Sequence, residues 1–340
     1  MHYRLLGRSG LRVSELCLGT MTFGTEWGWG ADKQESYRLF ETFGKAGGNF
    51  LDTANRYTEG TSERFLGEFI EADRDHWVLA TKYTLKDRNG DLNFAGNHRK
   101  NLFRSVQESL KRLKTDYIDL LWVHMWDATT PVEEVMRGLD DLVSRGMVHY
   151  VGISDTPAWI VSQANTIADF RGWSPFVALQ IEYSLIQRTP ERDLLPMARA
   201  LDLAVTPWGA IAGGALTGKY LRGENGRVPT HSIRRNDKSM TIAQEVVNVA
   251  QELGVTPAQV AINWTRQRDQ VMVPIVGART TQQLLDSLGC LEFSIPPEYL
   301  GRLQEVSKIE LGFPHDFLRS DGVKDVTFGG LYNQLHNHRS

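Results

Sequence analysis

Four residues set the chemical question. Asp52 ends the short apolar run "NFLD", and Tyr57 follows it in the polar stretch "TANRYTEG". Lys82 stands near the end of "WVLATKY", and His124 closes "YIDLLWVH". A free tyrosine has a pKa of about 10, so at neutral pH it is a poor proton shuttle. A neighbouring ammonium stabilises the phenolate and lowers that value. A buried lysine tends to lose its proton and needs a carboxylate to stay charged. A histidine within reach can hydrogen-bond a carbonyl oxygen or help a proton move. Together the set is suited to giving a proton to a carbonyl oxygen, or to removing one from an alcohol. Taken singly, each residue has a plainer reading: a structural Asp–Lys pair, a tyrosine that only packs its loop, a histidine satisfied in the core. What joins them is position, because they fall at three consecutive β-rich runs.

Those runs belong to a longer alternation. "VSELCLGT" precedes "KQESYRLFETFGKAG", "NFLDTA" precedes "TSERFLGEFIEA", and "WVLATKY" precedes "RKNLFRSVQESLKRL". "YIDLLWVH" precedes "PVEEVMRGLDDLVSRG", "VHYVGIS" precedes "PAWIVSQANTIADF", and "FVALQIEYS" precedes "ERDLLPMARAL". "LAVTPW" leads through a Gly-containing loop to "SMTIAQEVVNVAQELG", and "VMVPIVGA" precedes "TTQQLLDSLG". The β-rich runs are nearly all apolar, as parallel strands covered on both faces must be. The helical segments carry apolar stripes, such as Leu102, Val106, Leu110 and Leu113, and glycines near their ends at Gly47, Gly146 and Gly254. Eight such units predict an α/β fold, a (β/α)8 TIM barrel, with an open doubly wound sheet as the alternative. "YRLL" and "LRVS" around "GRSG" predict an N-terminal β-hairpin over about residues 3–15, placed to plug the barrel bottom. Residues 311–340 read as a polar tail, ordered in part at most. The whole of 1–340 is expected to form one domain.

In a parallel barrel, reactive groups gather where strands end. The remaining strand ends offer Ser154 and Asp155 in "GISD", Gln180 in "ALQIEYS", Trp208 in "VTPW", and Gly277 and Arg279 in "VGARTTQQL". The totals narrow the partners. A formal net charge of -3 argues against nucleic acid, which needs a basic surface. No run approaches the ~18 apolar residues that span a bilayer, and no secretory signal is visible at the N-terminus. The two cysteines, Cys17 and Cys290, form no metal or redox spacing, so a cytoplasmic protein is expected. The nine histidines offer no metal-ligand pattern; His336 and His338 lie in a tail expected to fray.

At these residues the chain resembles the aldo-keto reductase superfamily. The resemblance rests on "LDTANRY", "ATKY", "SVQESLKRLKTDYIDLLWVH", "VGIS", "LQIEYSL", "ALTGKY" and "GARTTQQL", in that order and over nearly the whole chain. The branch it looks most like holds aryl-alcohol dehydrogenase-like reductases and channel β-subunit-like proteins. The resemblance implies a catalytic tetrad of Asp52, Tyr57, Lys82 and His124. Tyr57 would be the proton donor, Lys82 held by Asp52 would lower its pKa, and His124 would orient the carbonyl. It implies NADP(H) as cofactor. Gly19, Thr20 and Met21 match the family's cofactor-touching turn, together with Asp52. Ser154, Asp155 and Gln180 match the groups around the carboxamide, with Asp155 standing where relatives usually have Asn. An ionised carboxylate cannot donate a hydrogen bond, so that contact is altered. Trp208 would stack on the nicotinamide. The loop with Gly209, Ala210, Ile211, Gly213, Gly214, Leu216, Gly218 and Lys219 would lie along the pyrophosphate. Gly277, Arg279, Gln283 and Ser287 would hold the adenosine end, Ser287 replacing a relative's Asn. Arg279 suits a bidentate grip on a 2'-phosphate, though it could equally be a surface arginine.

Trp27, Trp29 and Trp126 would make the substrate side aromatic, unless they only pack loops. The segment "GGALTGK" fits a P-loop pattern, but Tyr220 follows where a Mg²⁺-binding Ser or Thr is required. The expected function is NADPH-dependent reduction of a small aldehyde or ketone. The alternatives are a cofactor-sensing regulatory protein of low turnover and an unrelated metal-assisted hydrolase. The oligomeric state stays open.

Overall fold

The computed structural model describes residues 1–226 and 228–336. β1 (Tyr3–Leu5) and β2 (Arg12–Ser14) pair antiparallel. Eight parallel strands follow: β3 (Cys17–Gly19), β4 (Phe50–Asp52), β5 (Val78–Tyr83), β6 (Ile118–Val123), β7 (Val148–Ser154), β8 (Phe176–Glu182), β9 (Ala204–Trp208) and β10 (Ile275–Val276). From β3 to β9 each pairs with the next in sequence, and β10 pairs with β3. The ring is completed by Val205, which exchanges backbone hydrogen bonds with Val271 and Val273 at 2.9 and 2.8 Å. This is a (β/α)8 TIM barrel, and the open-sheet alternative is excluded. The bridge at Met272 ties the two outer strands of the eight-stranded sheet together.

The eighth run, "VMVPIVGA", is not one strand. Pro274 has no N–H to donate, so the ladder passes from β9 at Met272 to β3 at Ile275 across it. The Pro274 carbonyl still accepts from the Cys17 amide at 3.0 Å. The hairpin plugs the bottom of the barrel as expected. Gly7 lies so close to the chain at Val177 and Asp202 that a Cβ there would come within 2.2 Å of the Val177 carbonyl. Leu6 and Val13 are fully buried with Phe50, Leu120, Trp122 and Val177 inside the barrel. Burying side chains of this size contributes about 1.5–3 kcal/mol each.

Helices cover the outside. In the helix Arg99–Leu113, Leu102, Val106 and Leu113 are buried, while Leu110 is only half-buried and Ser105 and Ser109 turn inward instead. Gly47, Gly146 and Gly254 all take left-handed φ just past helices. One helix, Pro257–Arg266, was not expected. Its start carries a full capping box between Thr256 and Gln259 with proline at the first position, a signal present in "TPAQ". The C-terminal region holds two short helices, His315–Arg319 and Asp321–Phe328, largely open to solvent. Among the described residues, no helix is long and apolar enough to cross a membrane.

Candidate active site

The tetrad meets at the C-terminal mouth of the barrel. Asp52 ends β4, Lys82 lies in β5 one residue from its end, and His124 directly follows β6. Parallel register places Asp52 opposite Ala80 and Lys82 opposite Trp122, so adjacent strands deliver these groups to one level. Tyr57 comes from the loop after β4. A tight turn begins at Tyr57, and Thr58, Glu59 and Gly60 all have left-handed φ (46, 55 and 80°). Two successive non-glycine residues in that region carry local strain. Thr58 Oγ1 donates to the Phe23 carbonyl at 2.5 Å, and Trp27 Nε1 donates to Glu59 Oε1 at 3.2 Å, which brace the turn. The helix Thr61–Phe69 starts only afterwards, so Asp52 is not its cap.

Lys82 Nζ is almost wholly buried and donates to Asp52 Oδ2, to the Thr53 carbonyl at 2.9 Å and to Tyr57 Oη at 3.1 Å. Gln180 Nε2 donates to the other Asp52 oxygen at 3.0 Å. Burial alone would strip Lys82 of its proton, but Asp52 and Tyr57 outweigh it and hold its pKa above the ordinary lysine value. For Tyr57 the balance goes the other way from the expectation. Burial pushes the phenol up, Lys82 pulls it down, and Asp52 and Asp155 push it up again; the net result lies above the ordinary value. Lys82 therefore offsets burial without overcoming it, and the phenol is held protonated. His124 is pushed well below the ordinary histidine value by burial and then by the Lys82 charge, so its imidazole is neutral. Its buried Nδ1 has no hydrogen-bond partner among the described residues. Such an unpaired buried polar atom is costly. The Tyr57 and His124 rings stand edge to face at 6.0 Å.

A cavity of about 650 Å³ opens from these groups. It brings together Gly19, Met21, Trp27, Asp52, Tyr57, His124, Ser154, Asp155, Gln180 and Trp208 with Gly209, Ala210, Ile211, Gly213, Gly214, Lys219, Gly277, Arg279, Gln283 and Ser287. Lys82 stands behind this wall. Five expected residues do not line it. Thr20 is buried, with Oγ1 on the Asp52 carbonyl at 3.0 Å. Leu216 is buried in the outer core, and a Cβ on Gly218 would strike Val247 of the helix Asp237–Leu253 at 2.6 Å. Trp126 packs against that same outer core, and Trp29 leans on Trp27 at 5.7 Å. Sequence reasoning missed Thr22, Arg56, Leu85, Arg234 and Asp286, which do line the cavity. Arg56 was visible beside Tyr57 in "NRY"; Arg234 lies far from any strand end and carried no signal.

The cations along the cavity differ. Arg56 is paired with Glu59 and Arg234 with Glu182, whereas Lys219 and Arg279 have no carboxylate partner among the described residues. No group of His, Cys, Asp or Glu among the described residues could hold a metal ion. His338 lies outside the described residues.

A parallel eight-stranded barrel with a Tyr–Lys–Asp–His cluster at its mouth defines a class of enzyme built for proton transfer at an oxygen. Residues 15–308 match the model of the aldo/keto reductase family. The chain is 38% identical to the aryl-alcohol dehydrogenase [NADP(+)] of Phanerodontia chrysosporium, over 94% of this chain and 89% of that protein. It is 37% identical to the norsolorinic acid reductase of Aspergillus flavus (93% and 84%), and 36% identical to the aldo-keto reductase ausK of Aspergillus calidoustus (94% and 85%). The chain belongs to the aldo/keto reductase family. It is an oxidoreductase that uses a nicotinamide cofactor on carbonyl or alcohol groups.

Proposed function

We propose that this chain reduces aromatic or apolar aldehydes and ketones with NADPH, with Tyr57 as the proton donor. The observation that carries the reading is the Tyr57 hydroxyl, held 3.1 Å from a buried, charged Lys82 on the wall of the large cavity. Its raised pKa keeps the phenol protonated at neutral pH, as an acid must be. Asp52, itself held by Gln180, keeps Lys82 in place, and Asp52 and Tyr57 keep it charged. His124, neutral and on the cavity wall, is suited to orient a carbonyl oxygen by hydrogen bonding. The substrate side is aromatic through Trp27, whose ring stands edge-on to Tyr57 at 6.5 Å.

The residues present fit the cofactor. Ser154, Gln180 and Trp208 line the inner end of the cavity beside Tyr57 and His124. Gly213 and Gly214 have left-handed φ, and a Cβ on Gly214 would come within 2.7 Å of Lys219 Nζ. That cradle suits close approach of phosphate oxygens to backbone and ammonium. Arg279, exposed at the outer end and without a carboxylate partner among the described residues, suits a 2'-phosphate and favours NADP(H) over NAD(H). When bound, the cofactor supplies the hydride. The protein holds the reacting groups together, which alone can contribute ~7–11 kcal/mol at best.

A regulatory role with low turnover is not favoured, because the similar proteins are named as dehydrogenases and reductases. A screen of aromatic aldehydes with NADPH and with NADH, followed at the reduced-nicotinamide absorbance, tests the reading. Multiple turnovers with NADPH are expected; tight NADPH binding without turnover would return the regulatory alternative.

A further inference from the structure

We propose that Asp155 makes this site prefer the oxidised over the reduced nicotinamide cofactor. The inference rests on the placement of the nicotinamide beside Tyr57 and His124 proposed above.

The inner half of the cavity holds charges that are nearly all paired. Asp52 is neutralised by Lys82, Glu59 by Arg56, and Glu182 by Arg234. His124 carries no charge. Asp155 alone lines this half without a cationic partner among the described residues. Its backbone N–H is tied to the Gln180 carbonyl at 3.3 Å, and its left-handed φ of 41° sets the residue at the strand end. Trp208 Nε1 donates to Oδ1 at 3.3 Å and holds the carboxylate against the ring proposed to stack on nicotinamide. Burial raises the Asp155 carboxyl above the ordinary carboxylate value, and the Trp208 hydrogen bond and the Lys82 charge oppose that rise; as a carboxylate it adds to the forces that raise the Tyr57 phenol.

The outer half has the opposite sign. Lys219 and Arg279 have no carboxylate partner there among the described residues, and the one carboxylate beside them, Asp286, hydrogen-bonded by the neutral Gln259, leaves that half with a net positive charge. The cavity is therefore negative where a nicotinamide would lie and positive where phosphates would lie.

The two cofactor forms share their phosphates and differ by one positive charge on the nicotinamide ring. Only a charge at the inner end can tell them apart, and Asp155 is the uncompensated one. A carboxylate within a few ångströms of the cationic ring, in a partly dehydrated site, separates the two forms by about tenfold or more. Asparagine would keep the oxygen that accepts from Trp208 and tolerates left-handed φ, while removing the charge.

The test is a binding measurement that needs no turnover. Wild type, Asp155→Asn and Arg279→Ala are titrated with NADP+ and with NADPH, reading tryptophan fluorescence. The ratio of the NADPH to the NADP+ dissociation constant is expected to fall about tenfold in Asp155→Asn. In Arg279→Ala both constants should rise together and leave the ratio unchanged. If Asp155→Asn fails to fold by circular dichroism, Asp155→Ser is titrated in its place. A ratio changed less than about twofold by removing the Asp155 charge overturns the inference. Failure of wild type to bind either form sinks the cofactor reading itself, a separate and recognisable outcome.

Discussion

The inner and outer ends of the cavity are built on different principles. At the inner end, Lys82 and Asp52 are buried, mutually hydrogen-bonded and carried on adjacent strands. At the outer end, Lys219 and Arg279 stand on loops, without carboxylate partners among the described residues. The contrast matches the work proposed for each end. Proton transfer needs groups fixed within tenths of an ångström before substrate arrives, and a rigid barrel rim supplies that. Recognition of a multiply charged ligand needs free cations that the ligand itself will pair, and loops can present them.

The contrast can be broken from the inner end. Tyr57→Phe keeps the ring and removes the proton. Turnover of an aromatic aldehyde should fall ~10²–10⁴-fold, while the NADPH dissociation constant changes little. Retained turnover would remove Tyr57 as the acid. Lys82→Met next leaves the buried Asp52 carboxylate with Gln180 as its remaining side-chain donor. Breaking a buried pair in this way costs about 3–5 kcal/mol, read as a fall in the urea midpoint. A midpoint equal to wild type would show that the pair is not held as described.

The outer end should respond in affinity alone. Arg279→Ala should weaken NADPH by about tenfold and NADH hardly at all, with unchanged stability. Equal losses for both cofactors would take Arg279 off the 2'-phosphate. The smallest expected effect is in pH. His124 titrates below the ordinary histidine value in the folded protein because burial and Lys82 oppose its charge. Between the unfolded value near 6.5 and the lower folded value, the unfolded chain binds the extra proton. Stability contributed by His124 is thus present above about pH 6.5 and lost as pH falls through the folded pKa. His124→Gln should flatten that acid-side loss in thermal unfolding between pH 7.5 and 5, and no change in slope would contradict the assignment.

Much of the inner end was legible in the residues. Asp52, Lys82 and His124 close apolar runs of parallel-strand type, and in a barrel such ends converge by construction. Tyr57 was legible too, but not the three left-handed residues that turn its loop. The lowering by Lys82 was legible, but not the net rise of the phenol, because a motif records which charges are near and not how deeply the phenol is buried. The outer end was legible only in part. Leu216 and Gly218 sit in a loop whose sequence suits phosphate, yet the chain turns them toward the helix Asp237–Leu253. Arg234 arrives from a distant segment that no spacing rule connects to the site. The helix Pro257–Arg266 follows no strand of its own, so the strand–helix alternation does not point to it, although its capping box is written in four letters.

By itself, then, the sequence determined the alternation of strands and helices, the hairpin and the identity of the groups at the strand ends. These depend on periodicity and on backbone chemistry that act over a few residues. Tertiary structure decided the break of the eighth strand at Pro274, the pairing of Gln180 with Asp52, and which cations stay unpaired along the cavity. Each of those depends on what lies within a few ångströms across the barrel mouth, and that distance is set only when the ring of strands has closed.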